Sequence, residues 1–78
     1  MPRYYFHLYN DLVARDEEGR NLSGLAEARD VAVREAREMM TETLAAGHLD
    51  LSHRIDVEDE TGAVVATVTF KDAVDIKS

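Results

Sequence analysis

The segment GLAEARDVAVREAREMMTETLAA, Gly24 to Ala46, decides how this chain folds. It is an uninterrupted helical pattern, and shorter β-type runs flank it on both sides. At about 100° per residue, Leu25, Ala28, Ala32, Ala36, Met39, Met40 and Thr43 fall on one stripe, with Val33 and Leu44 on its shoulder. Glu27, Asp30, Arg34, Arg37, Glu38 and Thr41 fall opposite, and Val31 is the one apolar residue expected on that outer face. Such a helix covers a single apolar surface. Gly24 is expected as N-cap, with Ser23 as its rival and Glu27 placed to reach back. Gly47 is expected to close the helix in a left-handed conformation. The many alanines let the backbone lie close to whatever the helix covers.

Before the helix, Arg3 to Tyr9 reads as a strand, with Tyr4, Phe6 and Leu8 alternating against Tyr5, His7 and Tyr9. Asn10-Asp11 is a turn signal, Leu12 to Arg15 returns as a short strand, and Asp16-Glu17-Glu18-Gly19 is a polar loop. Leu22 is placed to staple the first turn of the helix. After the helix, Leu49 and Leu51 are placed to plug the end of the core. Arg54 to Glu58 alternates Ile55 and Val57 against Arg54, Asp56 and Glu58. Asp59-Glu60-Thr61-Gly62 is a hairpin loop, and Val64 to Phe70 is the last strand. The tail from Lys71 packs loosely through Ala73, Val74 and Ile76. The order β-β-α-β-β implies an α+β fold, one helix laid on one face of a small antiparallel sheet.

Seventy-eight residues make one domain, 1–78. A chain of this size hides only about 60% of its unfolded surface, so reinforcement by a partner subunit is expected. There is no cysteine, which excludes disulfides and thiolate metal sites and fits a reducing compartment. Sixteen acidic residues oppose nine basic ones, for a net charge of −7 spread along the chain. Nucleic-acid binding is not expected without a basic stripe, nor is attraction to an anionic membrane. No signal peptide and no membrane span is recognisable, so the expected location is the cytoplasm.

The start Met1-Pro2-Arg3-Tyr4-Tyr5-Phe6-His7-Leu8, the loop Asp16-Glu17-Glu18-Gly19 and the later Thr67-Val68-Thr69-Phe70-Lys71-Asp72-Ala73 resemble a family of short bacterial proteins of unknown function. Its members begin with an M-x-R-[YF]-[YF]-F-H-like strand and carry a D-x-E-G loop before an alanine-rich helix. The resemblance implies no activity. More distantly, Asp16, Gly19 and Glu27-Ala28 resemble the D-x-x-G loop and helix start of HicB-like antitoxins. The interval from Gly19 to Glu27 is shorter than in that family, and its third strand before the helix is not expected here.

Few residues suggest chemistry. His7, mid-strand and flanked by Tyr5 and Tyr9, reads either as a general base on an open sheet surface or as a half-buried, hydrogen-bonded histidine. Asp16-Glu17-Glu18 and Asp56-Val57-Glu58-Asp59-Glu60 offer oxygen ligands for a hard cation, but neither has the EF-hand pattern, and solvated turns explain them as well. His48 and His53 lack zinc spacing. Ser23 and Ser52 lack a nucleophile elbow, and Met39-Met40 reads as core filler. No catalytic residue, metal ligand or cofactor is expected.

The sequence therefore points first to a non-catalytic interaction or regulatory module acting as a homodimer, with an unidentified protein partner also open. The alternatives are an antitoxin-like partner that neutralises a basic protein and a small enzyme or ligand binder using His7. If the first and last strands are neighbours, the sheet face away from the helix shows Tyr5, His7, Tyr9, Val65, Thr67 and Thr69 as the contact or ligand surface.

Overall fold

The computed structural model describes residues 1–77. Its elements are β1 (Arg3–Tyr9), β2 (Val13–Ala14), β3 (Arg20–Asn21), α1 (Leu25–Ala45), β4 (Arg54–Glu58) and β5 (Val64–Thr69). The order is β-β-β-α-β-β, an α+β fold in which one helix lies on a five-stranded antiparallel sheet. The two-residue β3 is the third strand before the helix that the sequence does not announce.

α1 forms where the apolar period places it. Gly24 is the N-cap, and the Glu27 carboxylate reaches back to accept from the Ser23 N–H at 2.9 Å. Gly47 takes φ +93°, and the His48 N–H donates to the Thr43 carbonyl. Ala28, Val31, Ala32, Ala36 and Met40 are buried against Tyr4, Phe6, Ile55, Val57, Ala66, Val68 and Phe70. Val31 is only 4% exposed, so it belongs to the covered face, while Leu25 of the expected stripe and Leu44 on its shoulder are exposed. Length explains the ends. A 21-residue helix runs about 30 Å, whereas β4 and β5 have five and six residues, or about 20 Å. The terminal turns overhang the sheet. In the connector, Leu51 packs on the core and Leu49 stays outside; in the tail, Ala73 is buried and Ile76 is exposed.

The strands lie in the order β2-β1-β4-β5, with β3 also paired to β1. The first and last strands are therefore not neighbours, because β4 lies between them. β1 meets β4 through Tyr5↔Glu58, Phe6↔Val57, His7↔Asp56, Leu8↔Ile55 and Tyr9↔Arg54. β4 meets β5 through Arg54↔Thr69, Ile55↔Val68, Asp56↔Thr67 and Val57↔Ala66, with an irregularity at Val57/Glu58. β4 earns the central place through Ile55 and Val57, 2% and 0% exposed, although its other face is charged. No helix among the described residues is long and apolar enough to cross a membrane.

Candidate functional site

A hydrogen-bonded polar cluster forms where β1 lacks a continuous outer neighbour. β3 pairs with Arg3 and Tyr4 at one end of that edge, and β2 with Leu8 and Tyr9 at the other. Phe6 lies in the gap. Its N–H donates to Asp16 Oδ2 at 3.1 Å, so a side chain completes the strand pairing. The other carboxylate oxygen, Oδ1, accepts from the Glu18 and Gly19 N–H groups, each at 3.1 Å, and folds the loop into a tight turn. Burial pushes the Asp16 carboxyl up, but the N–H donors of Gly19, Phe6 and Glu18, with His7 nearby, outweigh it and hold the group below the ordinary carboxylate range.

Gly19 closes this loop at φ +71°. A Cβ there would stand 2.9 Å from the Tyr4 carbonyl oxygen and 3.0 Å from the Tyr5 ring. Only glycine suits both the conformation and the close approach. The Arg3 guanidinium donates to the Glu18 carbonyl and ties the loop to the start of β1.

His7, 3% exposed, sits beneath this loop. Its Nδ1 accepts from the Asp16 N–H at 3.0 Å. Nε2 must then carry the proton, which it donates to Glu58 Oε2 at 3.1 Å. Arg15 also approaches that Glu58 oxygen, at 3.6 Å. Arg3, His7, Asp16 and Gly19, all within the stretches that carry the family resemblance, thus form one lock holding the loop on the strand.

Of the expected surface residues, Tyr5, Tyr9, Val65 and Thr69 are half-buried, Thr67 is exposed and His7 is buried. They do not form one aromatic patch, because β4 inserts Arg54, Asp56 and Glu58 between the tyrosines and β5. These charges are paired. Asp56 Oδ1 accepts from Arg54 Nε at 3.2 Å and from the Thr67 hydroxyl at 3.0 Å, and the Arg54 guanidinium lies 4.3 Å from the Tyr9 ring centroid. The face is a polar, internally matched surface.

Of the remaining acids, Glu60 accepts from the Arg3 N–H at 2.6 Å, while Asp59 and Asp50 serve turns. Asp59 Oδ1 accepts from the Thr61 N–H and hydroxyl and from the Ala63 N–H. Asp50 does the same for Ser52. His53 stands edge-on to Phe70, with Nε2 3.3 Å from Asp50 and 3.6 Å from Asp11. His48 does not join it in an ion pair or hydrogen bond. Among the described residues no group of three or more His, Asp or Glu is placed to hold a metal ion. Met40 is buried and Met39 packs beside the core.

Sequence reasoning passed over Glu35. Burial raises its carboxyl above the ordinary range; the paired Arg20 opposes this, while Asp16 and Glu38 add to it. Its place on the helix flank, one step from Ala36, is the signal that it would be half-covered.

A family model for a domain of unknown function, DUF6894, matches residues 3–71. The chain belongs to the DUF6894 family. The DUF6894 match begins at the first residue of β1 and ends just past β5, so it takes in the whole sheet, the helix and the Asp16 lock. No match was found among curated proteins or among solved structures.

Proposed function

We propose that this DUF6894 chain is a cytoplasmic, non-catalytic contact module that works as a homodimer, using the uncovered face of its sheet. The observation that carries the non-catalytic reading is the commitment of His7. Both ring nitrogens are hydrogen-bonded inside the fold, which leaves no lone pair to take a substrate proton. Its role is to hold the Asp16 loop.

Charge and area support a second copy as the partner. The open face carries Arg15 and Arg54 against Asp56 and Glu58, so it is locally balanced in a chain of net charge −7. Two copies meet there without the repulsion their other surfaces would bring. The molecule measures 39 × 25 × 16 Å. Its broad side is comparable with the roughly 800 Å² per partner of a standard interface. Val13, 58% exposed, lies beside Tyr9 on this face and, with the Tyr9–Arg54 stack, supplies the apolar and aromatic contacts favoured at interface centres.

Static light scattering at high micromolar concentration tests the reading. The expected mass is twice the 8.8 kDa of one chain, and Val13→Glu, which sets like charges against each other across the two-fold, should return the monomer. A wild-type monomer under these conditions rejects the dimer.

A further inference from the structure

Because β2 has only two residues, the sheet ends early on that side, and the flank of α1 stands over an uncovered notch. Leu8 and Ile55 of the sheet form the apolar floor, and Glu35, Glu38 and the apolar Met39 line it from the helix, around an open volume of ≈240 Å³. That is less than the roughly 300–1,000 Å³ of small-molecule sites. A single long side chain suits it better. The chemistry is divided as an arginine side chain is divided: an apolar stem against the floor and a cationic head at the carboxylates.

We propose that this notch receives an arginine side chain from a basic segment of a partner protein, with the stem on Leu8, Met39 and Ile55 and the guanidinium at Glu35 and Glu38. Glu38 makes no ion pair among the described residues and is free to take up a cation. Arg20 engages Glu35 from the β3 side, yet burial, with the neighbouring Asp16 and Glu38 carboxylates, keeps the Glu35 carboxyl raised. Arg20 and Arg34 flank a neighbouring depression of the helix, bounded by the same two glutamates, so the cation enters from the Leu8 side. The site lies at the edge of the helix–sheet junction, away from the open face, and does not depend on the dimer.

The test is a titration of the full chain, with its methyl groups labelled for NMR, by the acetylated and amidated peptide Arg-Ala-Arg-Ala-Arg-Ala. Salt is held near 0.1 M, where exposed charges more than about 10 Å apart are largely screened. The Leu8, Met39 and Ile55 methyl resonances should shift. The same peptide with citrulline for arginine, matched in shape but uncharged, should leave them in place. The Glu35→Gln, Glu38→Gln double variant should weaken binding by about tenfold or more. The Asp30→Asn, Glu42→Gln double variant removes two charges elsewhere on the helix and should change it less than about twofold; circular dichroism confirms that both remain folded. Equal weakening by the two double variants would reduce the effect to general charge attraction and overturn the proposal. So would equal binding of the citrulline peptide, or an absence of shifts at the three methyl positions.

Discussion

Replacing Asp16 by alanine removes the acceptor for three N–H groups at once. The Glu18 donor is exposed, so water takes over and its loss costs about 0.5 kcal/mol, whereas the Gly19 donor is part-buried and its loss costs about 1 kcal/mol. The Phe6 donor is part-buried within the sheet, and leaving it unmatched costs about 1–3 kcal/mol. Asp16→Ala should therefore destabilise the chain by about 2.5–4.5 kcal/mol, a large share of the roughly 4–12 kcal/mol expected for a domain of this length. Near 4–8 °C per kcal/mol, the midpoint should fall by roughly 10–35 °C. Asp16→Asn keeps one oxygen for the turn but offers the wrong group to one donor, and should lie between. Urea unfolding followed by circular dichroism measures all three proteins. The pH dependence has a definite sign. The folded carboxyl lies below its unfolded value of about 4, so its contribution is complete above that pH and is lost as pH falls through the folded value. The wild type should have a steeper acid limb than Asp16→Asn. A loss below about 0.5 kcal/mol in Asp16→Ala would refute the lock.

Two further expectations concern the helix and the surface. Ala36, fully buried, should not tolerate Ala36→Glu, which costs several kcal/mol, while exposed Glu38→Ala should cost under about 0.5 kcal/mol; equal thermal destabilisation would overturn the assigned helix face. The chain should not bind mixed-sequence DNA or RNA in a low-salt gel shift, since phosphate neutralisation supplies most non-specific affinity and the net charge is −7. Micromolar binding that weakens with added salt would contradict that.

Local signals were legible in the residues, and pairings were not. The expected helix, Gly24 to Ala46, matches α1 with its caps, because the apolar period and the closing Gly47 are written within one segment. Arg54–Glu58 matches β4 because alternation with period two is equally local. The central place of β4 was hidden by Arg54, Asp56 and Glu58, which look like an exposed face until Thr67 and His7 are brought opposite them. β3 is too short to show any period. Val31 was misplaced because the apolar stripe does not fix the angle at which a helix settles on a twisted sheet. The Asp16–Phe6 bond depends on where β2 and β3 stop, which no single segment records. The D-E-E-G loop stood out in the sequence, but its purpose needed the neighbouring strand.

The lock is tested most directly by the tautomer of His7. Long-range ¹H–¹⁵N correlation spectra of ¹⁵N-labelled protein at neutral pH distinguish which ring nitrogen carries the proton. If His7 holds the loop as described, the spectrum shows the Nε2–H form, with Nδ1 as the acceptor of the Asp16 N–H. An Nδ1–H form would mean that the Asp16 N–H is not bonded there. It would contradict the assignment of His7 to the fold rather than to chemistry.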